Sequence, residues 1–337
     1  MINFKNDYNL IAHNQILEAM LAYNSGSYVG YGLDEISERA KQEIKKHISA
    51  DIDIHFLVGG TSANKIVIAH ALRPYEAVIS VTTGHICVHE TGAIEQNGHK
   101  IIAVEGENGK ITPEKIEEAV RIHVDEHMVL PKMVYITLST EIGTIYTKKE
   151  LIEIHRVCKK HGLYLYLDGA RLAVGLDKSD ITLEDLATYT DVFYIGGTKN
   201  GALLGEAVVI SSDELKQNFR FSIKQNGGMY SKGFVAGIQF YELFKDGLYF
   251  RLGHNSNEMA DKLADGLKKR HIKLAYPNGT NQIFVVFDNA LYEKLSEQVM
   301  FELWEDRGET KVVRLVTNFN TSNDDINAFF SVLDNLL

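Results

Sequence analysis

Residues 191–210, DVFYIGGTKNGALLGEAVVI, decide the fold. Two runs of apolar and β-branched residues flank a glycine-rich turn, so the pattern predicts two buried strands joined by a short loop. The loop carries Lys199, and burial there would lower the pKa of its amine. A lysine with a lowered pKa is nucleophilic enough to form a Schiff base with an aldehyde. The competing interpretation is an ordinary turn lysine, because most lysines lie at the surface.

A second chemical signal follows the strand pattern in YLYLDGARLA, residues 164–173. Asp168 ends this strand, which places it at the carboxyl edge of the sheet, where open α/β folds bind ligands. A carboxylate there can pair with a protonated pyridine nitrogen and keep the ring an electron sink. Arg171 can hold a phenolate oxygen or a substrate carboxylate through charge-assisted hydrogen bonds. A structural Asp–Arg pair that closes a βα turn is the commoner interpretation of this spacing alone.

A third signal is the strand–turn–helix pattern VGGTSANKIVIAH, residues 58–70. Gly60, Thr61 and Ser62 would present backbone N–H groups, hydroxyl groups and a helix N-terminus to one place, which suits an anion. The segment lacks both GxxxxGK[ST] and GxGxxG, so it favours one phosphate monoester over a nucleotide. A glycine-rich βα turn without a ligand is equally compatible with the segment in isolation.

Short apolar runs alternate with amphipathic stretches between about residues 50 and 245. Candidate strands lie at 52–60, 77–81, 100–105, 133–139, 163–168, 191–197 and 205–210. Helical patterns lie at 63–73, 112–127 and 148–162. Buried strands that alternate with helices predict βαβ units. The predicted fold class is therefore α/β, with a mostly parallel seven-stranded sheet flanked by helices.

The chain after residue 245 has a different pattern. Strands at 282–288 and 311–317 are interspersed with helices near 254–270, 290–299 and 323–336, which predicts a small α+β domain. We expect three parts: an N-terminal segment (1–45) that packs with the small domain, a large domain (46–245) and a small C-terminal domain (246–337).

Composition excludes several classes of protein. The net charge of −10, with basic residues dispersed along the chain, argues against nucleic acid as a partner. No window approaches the roughly 20 apolar residues that span a bilayer, so no membrane association is expected. Two cysteines without a CxxC pair fit a reducing, cytoplasmic setting better than a disulfide framework.

Histidines invite a metal hypothesis, because His85 with His89 and His123 with His127 stand four residues apart. The segments read HICVH and HVDEH, so neither is an HExxH motif. No third ligand follows at a suitable spacing. We therefore predict no metal site.

Together the motifs resemble the threonine aldolase and β-eliminating lyase family of fold-type I pyridoxal-phosphate (PLP) enzymes, over nearly the whole chain. The order of phosphate cradle, aspartate and lysine is the order in that fold type. GGTSAN resembles the family's SGTxAN, GHICVHETGAIE its AHIxxxEAGA, and DGARLA its DGARL. TKNG takes the place of SKGL, and VVRLVTNFNTSNDDI resembles RLVTHxxxSxxD.

The resemblance implies PLP as the cofactor and a catalytic set of Lys199, His85 and Asp168. Lys199 would carry the Schiff base, Asp168 would pair with the pyridine nitrogen, and His85 would stack on the ring beside Glu90. The other implied cofactor contacts are Gly60, Thr61, Ser62, Thr140 and Arg171. The implied substrate contacts are Asn6, Tyr31, Glu141, Arg171 and Arg314, with Arg314 as the carboxylate clamp.

Three motifs depart from the family pattern. The family's RSDT is KNDY here, so Asn6, beside Asp7, replaces a serine that contacts the carboxylate. LSTEIGTIY replaces ENTHNRAGG, which removes a histidine near the substrate hydroxyl and leaves Thr140 and Glu141. The arginine of GGGMR is Tyr230. These changes leave the general base and the substrate open.

The activity implied by the resemblance is retro-aldol cleavage of a threonine-like or allo-threonine-like amino acid to glycine and an aldehyde. His85 is the candidate base, with Glu141 or a bound water as rival. The alternatives are β-elimination or transamination on the same scaffold and, outside catalysis, a silent α/β binding protein. Fold-type I enzymes generally form dimers or tetramers, so the resemblance also implies a homo-oligomer.

Overall fold

The computed structural model describes residues 2–337 and has a seven-stranded sheet at its centre. The strands of the described chain are β1 (Ile2–Asn3), β2 (Asp53–Leu57), β3 (Glu76–Val81), β4 (Lys100–Val104), β5 (Leu130–Thr137), β6 (Tyr164–Asp168), β7 (Val192–Gly196), β8 (Glu206–Ile210), β9 (Gln282–Asp288), β10 (Val299–Met300), β11 (Glu302–Asp306) and β12 (Thr310–Val316). The central sheet has the order β2-β8-β7-β6-β5-β3-β4.

Only β8 runs antiparallel to its neighbours in this sheet; the remaining pairs are parallel. Each of the seven predicted strands is a strand of the sheet, so the predicted fold class is confirmed. The prediction succeeded because a strand covered on both faces is apolar along its whole length, a pattern that turn residues delimit clearly.

Helices cover both faces of the sheet and extend into the terminal regions. They are α1 (Asn14–Tyr23), α2 (Glu35–Lys45), α3 (Gly60–Ala71), α4 (His85–Val88), α5 (Ala93–Gln96), α6 (Pro113–Ile122), α7 (Lys148–Lys160), α8 (Leu172–Lys178), α9 (Leu183–Tyr189), α10 (Asp213–Lys216), α11 (Phe219–Gln225), α12 (Phe234–Lys245), α13 (Leu248–Lys269), α14 (Asn289–Ser296) and α15 (Asn323–Asp334). The short helices α8 and α9 follow the DGARLA turn and were not predicted.

Alternate residues of each central strand enter different hydrophobic cores. In β6, Leu165 and Leu167 belong to the core on one face, and Tyr164 and Tyr166 belong to the core on the other. The two-residue repeat of a strand sends successive side chains to opposite faces. One face of β6 is therefore aliphatic, while the tyrosine face has hydroxyl groups that need hydrogen-bond partners.

A smaller antiparallel sheet, with the order β11-β12-β9, forms after residue 280 and packs with α13, α14 and α15 around a third core. β11 was not predicted, because its residues are mostly exposed and charged. The N-terminal strand β1 pairs in parallel with β10, and α2 packs along α12. The division of the chain at residues 45 and 245 stays a prediction. None of the helices between residues 2 and 337 has the length and apolar character needed to cross a bilayer.

Helix α13 approaches the turn after β6 through a glycine. A Cβ atom placed on Gly253 would lie 2.4 Å from the carbonyl oxygen of Ala173 in α8. Backbone atoms cannot move aside as a flexible side chain can, so this contact fixes the spacing of the two helices. Helix α8 directly follows Arg171, so the contact also supports the turn that contains Asp168 and Arg171.

We expect Gly253→Ala to destabilise the protein by about 1–3 kcal/mol, because the added methyl group forces α13 away from α8. The gain in helix propensity from alanine, about 1 kcal/mol, offsets only part of this cost. Urea unfolding followed by circular dichroism measures the difference. Lys269→Ala on the exposed end of the same helix is the control and should unfold at the wild-type midpoint. A Gly253→Ala variant as stable as the wild type contradicts the proposed spacing constraint.

Candidate active site

A cavity of about 380 Å³ opens at the carboxyl edge of the central sheet. Its walls bring together residues from segments far apart in sequence: Tyr8, Val58, Gly59, Gly60, Thr61, His85, His89, Thr137, Ser139, Glu141, Asp168, Ala170, Arg171, Tyr194, Thr198, Lys199, Leu204 and Glu206. A second cavity of about 610 Å³ shares several of these residues and continues to Glu302, Leu303, Trp304 and Arg314. The edge of the central sheet and the small antiparallel sheet β11-β12-β9 thus border one connected space.

Lys199 lies in the loop between β7 and β8, with its side chain buried in this cavity. Burial lowers the pKa of its amine and nearby Arg171 lowers it further, although acidic neighbours oppose both effects. Within residues 2–337 the Nζ atom has no hydrogen-bond or ion-pair partner; the ring centroid of Tyr8 is 5.9 Å away. A buried amine with a lowered pKa and no partner is suited to covalent chemistry.

Close backbone contacts hold the lysine loop against the turn that follows Asp168. Gly196 donates its N–H to the carbonyl of Gly169, at 3.0 Å, and Asn200 donates its side-chain amide to the carbonyl of Ala170, also at 3.0 Å. A Cβ on Gly196 would lie 2.4 Å from that carbonyl oxygen of Ala170. The two loops therefore approach closely only because this position has no side chain.

Asp168 is buried and accepts four hydrogen bonds. Oδ1 accepts from the hydroxyl of Tyr194 and the backbone N–H of Ala170; Oδ2 accepts from the hydroxyl of Tyr135 and the amide of Asn64. Burial alone would raise the pKa of Asp168, but nearby His85 and these hydrogen bonds outweigh it and keep the pKa below its ordinary value. Asp168 is therefore an ionised carboxylate at the base of the cavity.

A polar network links Asp168 to His85. Asn64 donates to Asp168 at 3.0 Å and to Oε1 of Glu90 at 2.8 Å, and the same Glu90 oxygen lies 3.0 Å from Nδ1 of His85. Burial lowers the pKa of His85, but the bond to Glu90 and nearby carboxylates raise it above its usual value. His85 therefore tends to keep its proton, with its ring fixed over the cavity by Glu90.

The glycine-rich turn after β2 forms the opposite wall. Helix α3 begins at Gly60, and no side chain caps its N-terminus. A Cβ on Gly59 would meet no atom within 4 Å, so the first turn of the helix faces open space. Gly59, Gly60 and Thr61 line the cavity. This arrangement leaves backbone N–H groups and a helix dipole available to an anion.

The two predicted arginines lie on the substrate side. Arg171 forms a buried two-point ion pair with Asp7, with Nε 2.6 Å from Oδ2 and Nη2 3.1 Å from Oδ1. Arg314 of β12 stacks on Trp304, with its guanidinium carbon 5.2 Å from the ring centroid. Its Nε is buried without a partner in the described chain. Arg314 thus has an N–H donor free for a ligand, whereas two nitrogens of Arg171 already donate to Asp7.

Of the remaining predicted contacts, some line the cavity and others lie beside it. Glu141 lines both cavities, as the sequence motif implied. Thr140 hydrogen-bonds Thr144 at 2.6 Å, and the cavity wall is formed by its neighbours Ser139 and Glu141. Ser62 is likewise outside the cavity lining. Asn6 accepts a hydrogen bond from the backbone of Tyr8, at 3.2 Å, beside the site.

Tyr31 lies elsewhere, in a small cleft with Arg220, Met229 and Tyr230. Its side chain is 46% exposed, and its carbonyl accepts a hydrogen bond from Arg220 at 3.2 Å. Tyr230 donates its hydroxyl to the carbonyl of Leu57, next to the glycine-rich turn. Tyr31 therefore does not reach the Lys199 cavity of its own chain.

Sequence reasoning missed several site residues. Tyr135 and Tyr194, which donate to Asp168, were not among the predicted site residues, yet a tyrosine on the same face of three neighbouring strands was a usable signal. Glu206, at the start of β8, lines the cavity and accepts a hydrogen bond from Gly197 N–H at 2.8 Å. Burial raises the pKa of Glu206 to about 7. Its strand was predicted to be buried, but no motif marked Glu206 as a site residue. Among residues 2–337 no group of three or more potential ligands is arranged to hold a metal.

Comparison with solved structures first identifies the fold. The aspartate aminotransferase of Thermus thermophilus superposes with a TM-score of 0.72 at 16% identity, covering 100% of this chain and 96% of that chain. The architecture is therefore that of fold-type I. A threonine aldolase structure from Leishmania major matches with a TM-score of 0.98 and 44% identity, covering 100% of this chain and 99% of that chain.

Sequence comparison then identifies the family. The family model described as beta-eliminating lyase matches residues 11–290. A low specificity L-threonine aldolase from a Pseudomonas strain is 32% identical over 82% of this chain and 82% of its own length. One from Pseudomonas aeruginosa is 31% identical over 83% of this chain and 80% of its own length. The chain belongs to the PLP-dependent β-eliminating lyase family, and both Pseudomonas relatives, which match most of its length, are named threonine aldolases.

The Asp7–Arg171 pair provides a test of the site's framework. Burial opposes the charge on Asp7, but Arg171 and Lys199 lower its pKa below the ordinary 3.8. Asp7→Asn leaves Arg171 buried without its counter-charge, and we expect a loss of about 3–5 kcal/mol in unfolding free energy at pH 7. The stabilisation by Asp7 is present above its unfolded pKa and is lost as the pH falls through the lowered folded pKa. The difference in unfolding free energy between the wild type and Asp7→Asn should therefore become smaller in strong acid.

Urea unfolding at several pH values measures this difference. Asp334→Asn, which removes the exposed partner of Arg270, is the matched control and should leave stability unchanged. If Asp7→Asn and Asp334→Asn lose equal amounts of unfolding free energy, the buried Asp7–Arg171 pair does not stabilise the fold more than an exposed pair does.

Proposed function

We propose that this protein is a PLP-dependent threonine aldolase that cleaves a β-hydroxy-α-amino acid to glycine and an aldehyde. The observation that carries the proposal is a single cavity that joins the buried, unpartnered Lys199 to the ionised Asp168 and to the glycine-rich turn at Gly59–Thr61. The two Pseudomonas relatives and the Leishmania major structure, which match most of the chain and are named threonine aldolases, support this choice among PLP reactions.

The residues present fit PLP. An aldehyde requires a free amine, which Lys199 has; a pyridinium requires a buried carboxylate, which Asp168 provides. A phosphate requires backbone donors at a helix N-terminus, and a Cβ on Gly59 would project into the space left there. Glu206 lies in the same cavity, and its raised pKa of about 7 reduces its repulsion of a phosphate.

When bound, PLP would supply an electron sink for the charge that develops on the substrate's α-carbon. Lys199 would hold it covalently, and Asp168 would keep the pyridine nitrogen protonated. The ring of His85, fixed by Glu90, would cover one face of it. The hydrogen bonds from Tyr135 and Tyr194 keep Asp168 ionised, because buried phenols with pKa values well above 10 donate and do not ionise.

Arg314 is the proposed clamp for the substrate carboxylate. Its orphaned Nε is buried at the edge of the cavity, and a buried donor without a partner costs free energy that a carboxylate would recover. The ring of Trp304 packs against the guanidinium group of Arg314. Arg171 would add positive charge near the same place, although Asp7 already engages two of its nitrogens.

Borohydride reduction tests the cofactor assignment. In protein reconstituted with PLP, we expect reduction to fix the pyridoxyl group on the peptide that contains Lys199, as read by mass spectrometry. Lys199→Ala should show no labelled peptide and no absorbance band from a lysine-bound cofactor. Lys216→Ala, which removes a surface lysine paired with Asp51, is the control and should label as the wild type does. A label on a different lysine refutes the assignment.

The reaction has its own test. Wild-type enzyme should release glycine and acetaldehyde from threonine or allo-threonine, detected with alcohol dehydrogenase and NADH. Arg314→Lys should raise KM at least tenfold, because the ammonium group cannot make the two-point contact of a guanidinium. Pyruvate and ammonia from serine, or an oxo acid, would instead assign elimination or transamination.

We also propose that the protein forms a homo-oligomer. Tyr31 and Leu33 on the loop before α2 and Phe221 on α11 are 46, 64 and 76% exposed, and Arg220 ties the loop to α11. An apolar patch of this kind favours a partner surface, and a second copy supplies one. Tyr31 lies outside the Lys199 cavity of its own chain, which is compatible with a role in the site of a second copy.

Static light scattering measures the assembly directly. The double variant Leu33→Asp/Phe221→Asp should have a smaller mass than the wild type, because two carboxylates would have to be buried at the interface. Val124→Asp, at a valine that is also 76% exposed, is the control and should keep the wild-type mass. A wild-type monomer that cleaves threonine contradicts the proposal.

We also propose that the protein is located in the cytoplasm. Cys87 and Cys158 are both free in the described structure, and burial raises the pKa of each thiol. Thiols of this kind are stable in a reducing compartment and contribute no disulfide framework.

A further inference from the structure

His89 has a distinctive position in the candidate active site. It follows α4 directly and lies on the wall shared by the two connected cavities. Its ring centroid is 5.5 Å from that of His85 and 6.3 Å from that of Trp304 in the small domain. Among residues 2–337 its imidazole has no hydrogen-bond partner, so both ring nitrogens are available to a ligand in the cavity.

His85 is poorly suited to accept a proton from the substrate. Its Nδ1 lies 3.0 Å from Oε1 of Glu90, whose side chain is fully buried. Glu90 and the nearby carboxylates raise the pKa of His85 above its usual value. A histidine whose Nδ1 is held by a buried carboxylate, and whose pKa is raised, can stack and donate but is less available as a base.

The surroundings of His89 have the opposite effect. Burial lowers its pKa below the usual 6.5, and although Glu141 opposes this, the positive charges nearby lower it further. The titratable and charged side chains that share the two connected cavities with it are Tyr8, His85, Glu141, Asp168, Arg171, Tyr194, Lys199, Glu206, Glu302 and Arg314. At neutral pH His89 is therefore uncharged and can accept a proton.

A substrate that spans Lys199 and Arg314 would place its β-substituents in the space that His89 borders. The amino group must approach Lys199, and the proposed carboxylate clamp is Arg314; both cations act on His89 through their charges. Glu141 lines the same cavity. His89 supplies an imidazole to the same cavity from another segment.

We propose, on the basis of the proposed aldolase function, that His89 is the base that removes the proton from the substrate's β-hydroxyl group. The O–H electrons become the second bond of the aldehyde carbonyl as the Cα–Cβ bond breaks. The electron pair of the broken bond stays on Cα, which takes a proton from water to give glycine. His89 returns the hydroxyl proton to water, so the step needs no further reactant.

The kinetic test compares His89→Gln with His254→Gln, whose exposed histidine pairs with Asp177 away from the cavity. In His89→Gln, kcat for threonine cleavage should fall by roughly 10²–10⁴-fold. The acid limb of the kcat/KM profile, set in the wild type by a group with a pKa below 6.5, should disappear. Exchange of the α-proton of glycine in D₂O, followed by NMR, requires no β-hydroxyl deprotonation and should stay within about threefold of the wild type. His254→Gln should match the wild type in all three measurements.

Trp304 provides a readout that needs no catalysis. It is the only tryptophan in the chain and lies beside His89. A protonated imidazole quenches nearby indole fluorescence, so emission should rise as the pH increases through the ionisation of His89. The midpoint in the cofactor-free protein should lie below 6.5, and the step should be absent in His89→Gln but present in His254→Gln. If the wild-type fluorescence shows no step below pH 6.5, the proposal is overturned.

The outcomes separate this proposal from the function on which it rests. If wild-type enzyme exchanges the glycine α-proton but cleaves no β-hydroxy amino acid, the aldolase function fails, and the role of His89 fails with it. If wild-type enzyme cleaves threonine while His89→Gln retains the wild-type rate and acid limb, only the base assignment is overturned. Glu141→Gln provides the rival test: loss of the acid limb in that variant, with His89→Gln unaffected, assigns the base to Glu141.

Discussion

The charge on Asp168 is the constraint on which the site depends. A buried carboxylate stays ionised only if hydrogen-bond donors and opposite charge replace the water it has lost. Here the donors come from both neighbouring strands, from α3 and from the turn after β6. The strand order β7-β6-β5 places Tyr194 and Tyr135 on either side of Asp168. The sheet therefore does more than display this carboxylate, because its neighbouring strands keep the carboxylate charged.

A balance of charges extends from Asp168 through the rest of the cavity. Burial lowers the pKa of Lys199 and raises that of Glu206 to about 7, so both groups are shifted towards their uncharged forms. Asp7 neutralises Arg171 and also accepts a hydrogen bond from Asn281, at 3.0 Å, which joins the N-terminal segment to the region before β9. Arg314 keeps an unused donor for an incoming carboxylate. The same balance gives the two histidines of the cavity opposite tendencies: Glu90 favours the protonated form of His85, whereas burial and nearby cations favour the neutral form of His89.

The predicted site residues that belong to strand-end motifs lie in the cavity. Lys199, Asp168, Gly60 and Thr61 line one cavity, as expected for residues at the carboxyl ends of strands that belong to one mostly parallel sheet. Motif position did not determine the direction of side chains in irregular segments. Thr140 turns to Thr144, because a loop threonine takes whichever polar partner its backbone conformation offers.

The sequence by itself determined the sheet and the order of its chemical segments, because apolar runs, turn glycines and motif spacing are local properties. Tertiary structure decided which distant groups share one low-dielectric space. Glu206 lies in a predicted strand and His89 in a recognisable motif, but their pKa values depend on burial and on charges brought from other segments. Desolvation and Coulomb interactions act through space, so no pattern read along the chain reports them.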